Sequence, residues 1–163
     1  MEAYAHLKLL VHNTNMQQLR ASSPIYSLHG VIVATILGSF AAGVVIVCLN
    51  YMAFKRPGLA KKVAIAGLII FIVLDLVTAA TTTSFVVGST TWMIAYIGIT
   101  LGQVGLAYFA ANQLQGQTIK YHFENGGMQH SNFRAAGVGL VTAFAVAFIA
   151  IFLSLLFGTG TAQ

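Results

Sequence analysis

Charge is scarce in this 163-residue sequence: three acidic and eight basic residues make up 7% of it, while 58% is hydrophobic. A water-soluble globule needs more polar surface than that, so the composition predicts an integral membrane protein surrounded by lipid. Cysteine is nearly absent as well. With Cys48 alone, an intramolecular disulfide and thiol-disulfide chemistry within one chain are excluded, and the residue reads as small apolar packing. Proline occurs only at positions 24 and 57, at the edges of long apolar runs. No secretory leader is expected, because Glu2 comes early and the first long apolar run, near residue 30, exceeds a leader's core.

Chemistry-bearing patterns are missing too. No serine or cysteine nucleophile arrangement occurs, and Gly126-Gly127 lacks the Walker pattern, so no catalytic residue is assigned and the chain reads as non-enzymatic. The histidines divide between His6, His12 and His29 on one expected side and His122 and His130 on the other. Bis-histidine haem ligation across the bundle is therefore not expected, no metal-ligand spacing is matched, and no cofactor is assigned. The net charge of +5 lies beside the hydrophobic runs and forms no basic face, so nucleic acid is not an expected partner.

What the chain does have is hydrophobic length. Runs at about 29–54, 63–83, 92–111 and 135–157 are each long enough to cross the hydrocarbon core as a helix. They predict an all-α fold, a four-helix membrane bundle forming a single domain over 1–163. Residues 1–26 carry Tyr4, Leu7, Leu10 and Val11 at roughly helical spacing, as expected for a short helix lying on the membrane. Lys55-Arg56-Pro57-Gly58 and Lys61-Lys62 then put four cations into eight residues, a tight turn expected on the cytoplasmic side. With four crossings, both termini fall outside and the 112–134 connection inside. That connection reads as an extension of the third helix to about Glu124, stopped by Asn125-Gly126-Gly127 with Ser131 capping the fourth helix. The alternation of Ile119, Tyr121 and Phe123 with Lys120, His122 and Glu124 also fits a hairpin, but residues 128–133 supply no matching strand.

The stretch expected to organise the rest is Val63 to Thr83, apolar but for Asp75 near its middle. Ionising an acid at that depth in lipid is costly, so Asp75 is expected to face protein or trapped water. Thr78 and Thr82 extend its face as a polar stripe, and Gln103 on the third helix falls at a comparable depth, making these four the candidate ion or polar site. Ser39 and Thr142 fall in the same middle layer. Ridges of small residues form the second pattern: Gly30, Ala34, Gly38 and Ala42; Gly98, Gly102 and Gly105; Ala135, Gly139, Ala143 and Ala147. Such ridges let helix backbones approach closely, and they are the candidate packing interfaces.

Packing motifs without a catalytic constellation point to a non-enzymatic membrane protein, expected in a bacterial inner membrane. It would act as a homo-oligomer or as the membrane subunit of a larger assembly, with lipid and itself or another membrane protein as partners. A small proton- or cation-linked transporter or channel subunit using Asp75 is the first alternative. A membrane immunity or defence protein recognising another membrane protein is the second.

Overall fold

Three serines and a proline set where the helices begin. Ser27, Ser89 and Ser131 accept from the backbone N–H groups of Gly30 (3.3 Å), Trp92 (3.2 Å) and Arg134 (3.3 Å), each satisfying one of the donors a first helical turn leaves open. Pro57 starts another helix, where its missing N–H is no loss. The resulting elements are α1 (Leu28–Ala53), α2 (Pro57–Thr82), α3 (Thr90–Glu124) and α4 (Asn132–Phe157). They come from a computed structural model that describes residues 24–82 and 84–157. The expected N-terminal helix, Thr83, the side chains of Thr82 and Phe157 and the chain after Phe157 lie outside the described residues. Each of the four helices is long and apolar enough to cross a membrane. The 112–124 stretch is helical and continuous with α3, which ends at Asn125 and the positive-φ Gly126 (φ 73°).

α1 does not follow a straight path. Twenty-four residues of straight helix would separate Tyr26 from Asn50 by roughly 36 Å. Yet the Tyr26 N–H donates to Asn50 Oδ1 at 2.8 Å, and Asn50 Nδ2 donates back to the Tyr26 carbonyl at 2.9 Å. The reversal occurs at Gly38 (φ −131°, ψ 20°) and Ser39 (φ 65°, ψ −178°), the two non-helical residues inside the element. α1 is thus a helical hairpin with arms 28–37 and 40–53. The arms approach closely because Gly43 presents no side chain to Thr35 and Val31.

This hairpin is the centre of the molecule. Half of its apolar window is buried, against 6% for each of the other three helices. The first arm lies along α4: Gly30 meets Ala135, and the Gly139 carbonyl occupies the place a Gly38 side chain would take. The second arm lies between α2 and α3, with Gly67 against Val44 and Ala107 against Gly43. α2 and α3 touch each other lightly, and α4 packs on the hairpin alone. The organising element is therefore α1 and not the Val63–Thr83 stretch. That stretch is apolar on almost every face, and residues such as Ile65, Leu68, Ile69 and Leu76 stay exposed in the isolated chain.

One end of the bundle is stapled. Ile25 pairs with the 128–130 segment through Ile25 N–H to Met128 O (3.2 Å) and His130 N–H to Ile25 O (2.8 Å), a one-residue parallel bridge. Ile25, Phe54 and Ile119 form a small apolar cluster beneath it. Residue 24, the 54–58 turn and the α3–α4 connection therefore share one end, while α4 runs to Phe157 at the other. Pro24 and Phe157, the first and last described residues, stand at opposite ends of the bundle because the first apolar run turns back halfway.

Candidate functional site

The hairpin turn opens onto a cavity of about 310 Å³ to which all four helices contribute. Its polar lining comes from Thr35 and Ser39 of α1, Asp75 and Thr78 of α2, and Tyr96, Thr100 and Gln103 of α3; α4 adds Ala143, Val146 and Ala147. No lysine, arginine or histidine lines it. Asp75 is the only carboxylate of the described chain besides Glu124, which pairs with Lys120 at 3.8 Å on an exposed helix surface.

Breaking a helix leaves backbone donors unsatisfied at the start of the second arm. Gln103 reaches across from α3 to serve one, its Oε1 accepting from the Phe40 N–H at 3.1 Å. The threonine hydroxyls spend their protons locally. Thr35, Thr78 and Thr100 donate to the carbonyls four residues back, at 2.8, 2.7 and 2.9 Å. Ser39 behaves differently: its Oγ is buried and meets no hydrogen-bond partner among the described residues. Its backbone also occupies a region (φ 65°, ψ −178°) that essentially only glycine adopts without strain, at about 1–3 kcal/mol. A carboxylate and several hydroxyl oxygens share this space with the Gln103 carboxamide, and oxygen is the donor type that hard cations prefer.

Of the four sequence candidates, Asp75, Thr78 and Gln103 meet in this cavity, together with Ser39. Asp75 stands at its edge and is exposed in the isolated chain. Thr142 lies near it on α4, with its hydroxyl turned back to the Val138 carbonyl at 2.8 Å. The small-residue ridges divide. Gly30, Ala34, Gly38 and Ala42 are buried, as are Ala135 and Gly139, while Ala143 and Ala147 line the cavity. Gly98, Gly102 and Gly105 face open space, where an added Cβ would meet nothing within 4 Å.

Two polar residues, Asn50 and Gln115, escaped the sequence reading, and so did the burial of a third, His122. Asn50 and Gln115, 0% and 2% exposed, join through Asn50 Nδ2 to Gln115 Oε1 (3.2 Å), and Gln115 Nε2 donates to the Val47 carbonyl at 2.8 Å. His122 is buried beneath the α3–α4 connection, its Nε2–H donating to Met128 O at 3.1 Å, with Gly127 pressed against the ring so closely that a Cβ would overlap it. An amide near the end of an apolar run was the available signal for Asn50, and Gly38-Ser39 in mid-run was the signal for the break. Comparison with protein-family models, with curated proteins and with solved structures gives no match for this chain.

Proposed function

We propose that this chain is an integral membrane protein in which α1 is re-entrant and α2, α3 and α4 cross the bilayer, and that it binds a proton or cation at Asp75 as the membrane subunit of a small transporter or channel. The observation that carries this reading is the convergence of the Gly38–Ser39 turn, Gln103 and Asp75 on one cavity. The first arm rises about 15 Å before it turns, which is half of a hydrocarbon core of about 30 Å. Irregular backbone at that depth is tolerated only where protein buries it or a wet cavity receives it. Interrupted helices at the midplane also form the binding sites of many transporters.

All six described cations, Lys55, Arg56, Lys61, Lys62, Lys120 and Arg134, belong to the stapled end, which supports a cytoplasmic assignment for that end. The described chain would then enter from the cytoplasm at Pro24 and leave on the outer side at Phe157. The test is flux into liposomes. Wild-type protein should pass protons or a monovalent cation, and Asp75→Asn should reduce the flux at equal incorporation, since intramembrane acids mark ion paths. Equal flux in both proteins, or none in either, would overturn the assignment.

A second reading, a subunit whose task is assembly, is favoured by the glycine face of α3. Gly98, Gly102 and Gly105 are unoccupied, and the exposed Asp75 needs shielding before it can reside in lipid. Gly98→Leu should lower the particle size seen by mass photometry without unfolding the chain, and an unchanged size counts against this role.

A further inference from the structure

Two apolar grooves flank the contact between the second arm of α1 and α2, and they differ in one respect. The first, about 410 Å³, is walled by residues such as Val45, Leu49, Ala64 and Leu68 and carries no charge. The second, about 330 Å³, lies between the second arm, α2 and α3; it runs from Phe40 to Tyr51, roughly 16 Å of helix, and has Lys62 at its stapled end. Lys62 is exposed, Lys61 adjoins it, and the exposed Arg56 is held at the same end by its backbone N–H, which donates to the Tyr51 carbonyl at 2.9 Å. Among the described residues no carboxylate pairs with Lys55, Arg56, Lys61 or Lys62. An apolar trough that ends at a cluster of unneutralised cations is complementary to a molecule with a hydrocarbon tail and an anionic head.

We infer that the groove lined by Val47, Tyr51, Lys62, Val63 and Ala110 holds one acyl chain of an anionic phospholipid, with its phosphate on Lys62 and Arg56. The inference rests on the membrane reading of the fold but not on any ion path through Asp75. A phospholipid of the inner leaflet meets the groove in the required orientation, since the cations mark the end assigned to the cytoplasm.

The test is native mass spectrometry of the full chain in mild detergent with equal amounts of phosphatidylglycerol and phosphatidylcholine. Wild type should retain phosphatidylglycerol in preference. Lys62→Gln should lower that preference about fivefold, the contribution of one cation near an anionic headgroup, while Lys62→Arg preserves it. Ala110→Phe, which fills the groove and leaves the cations in place, should abolish retention. Ala64→Phe, in the uncharged groove, should leave it unchanged. Glycerol phosphate in excess should not displace the lipid if the acyl chain is held.

Equal retention of the two lipids by wild type overturns the proposal, as does a preference that survives Lys62→Gln. A preference lost in Lys62→Gln but kept in Ala110→Phe would mean that headgroups bind the surface alone, which also overturns it. Each result is independent of flux: Asp75→Asn should keep the lipid preference whether or not it passes ions.

Discussion

Replacing Asn50 with leucine should loosen the hairpin from its base. The Asn50 side chain makes three bonds, from Tyr26 N–H (2.8 Å), to Tyr26 O (2.9 Å) and to Gln115 Oε1 (3.2 Å), and is 0% exposed. Two scales bracket the loss. Side-chain hydrogen bonds between membrane helices average about 0.6 kcal/mol, or roughly 2 kcal/mol for three. Orphaning a buried donor or acceptor costs about 1–3 kcal/mol, or roughly 3–9 kcal/mol for three. Complete burial keeps water from replacing the lost partner, and Gln115 retains its bond to Val47, so a loss of about 3–5 kcal/mol is expected. Unfolding titrations in detergent micelles read it directly, and a loss below about 1 kcal/mol would refute the staple. The doubled path itself is read by pulsed EPR on labels at His29 and Leu49, both exposed, in a Cys48→Ala background. A straight helix puts those positions about 30 Å apart. The hairpin puts them at less than half that distance, so a measured separation near the straight-helix value would end the re-entrant reading.

Ser39→Gly should raise stability by about 0.5–2 kcal/mol, since relief of a glycine-only backbone conformation exceeds the added freedom of the unfolded chain. It should also lower ion flux, because a buried cavity hydroxyl with no partner among the described residues is lost; stabilisation with full flux would separate Ser39 from the site. Stability should also fall modestly in acid through His130. Its pKa lies below the ordinary value because of burial and, second, the Arg134 guanidinium, whose Nη1 donates to Nδ1 at 3.2 Å. The unfolded chain therefore takes up the proton more readily. Stability is fully present above the unfolded pKa of about 6.5, declines as pH drops towards the folded value and levels off beneath it, with solvent screening keeping the change small. His130→Gln should flatten that segment of the stability–pH curve; an unchanged slope would remove His130 as its source.

Much of the helical layout is legible because length and hydropathy are summed over twenty or more residues. The extension of α3 to Glu124, with Ser131 capping the next helix, belongs to this class. The path of α1 is not, since it depends on two backbone conformations. Gly38-Ser39 within an apolar run reads equally as one step of a packing ridge, and Gly38 does take part in that ridge, against Gly139. The same absence of a side chain that lets α4 approach also lets the backbone turn. Hydropathy averaging across 29–54 cannot distinguish one crossing from two half-crossings of the same total length.

The candidate site shows the same division. Asp75 stands out from sequence alone because a carboxylate within the 21-residue, largely apolar run Val63–Thr83 has one physical reading, a group that must be shielded. Which residues shield it depends on the turn. A straight α1 would carry Ser39 past Asp75 as one more mid-span hydroxyl, its proton donated to a carbonyl of its own helix like those of Thr35, Thr78 and Thr100. With α1 folded back, that carbonyl ladder ends at residue 38. The Ser39 hydroxyl is left without a partner among the described residues, and Gln103 is drawn in to satisfy Phe40. The broken helix therefore adds an unpaired hydroxyl and a backbone donor to a cavity that the unbroken helices already line with Asp75, Thr78 and Thr100.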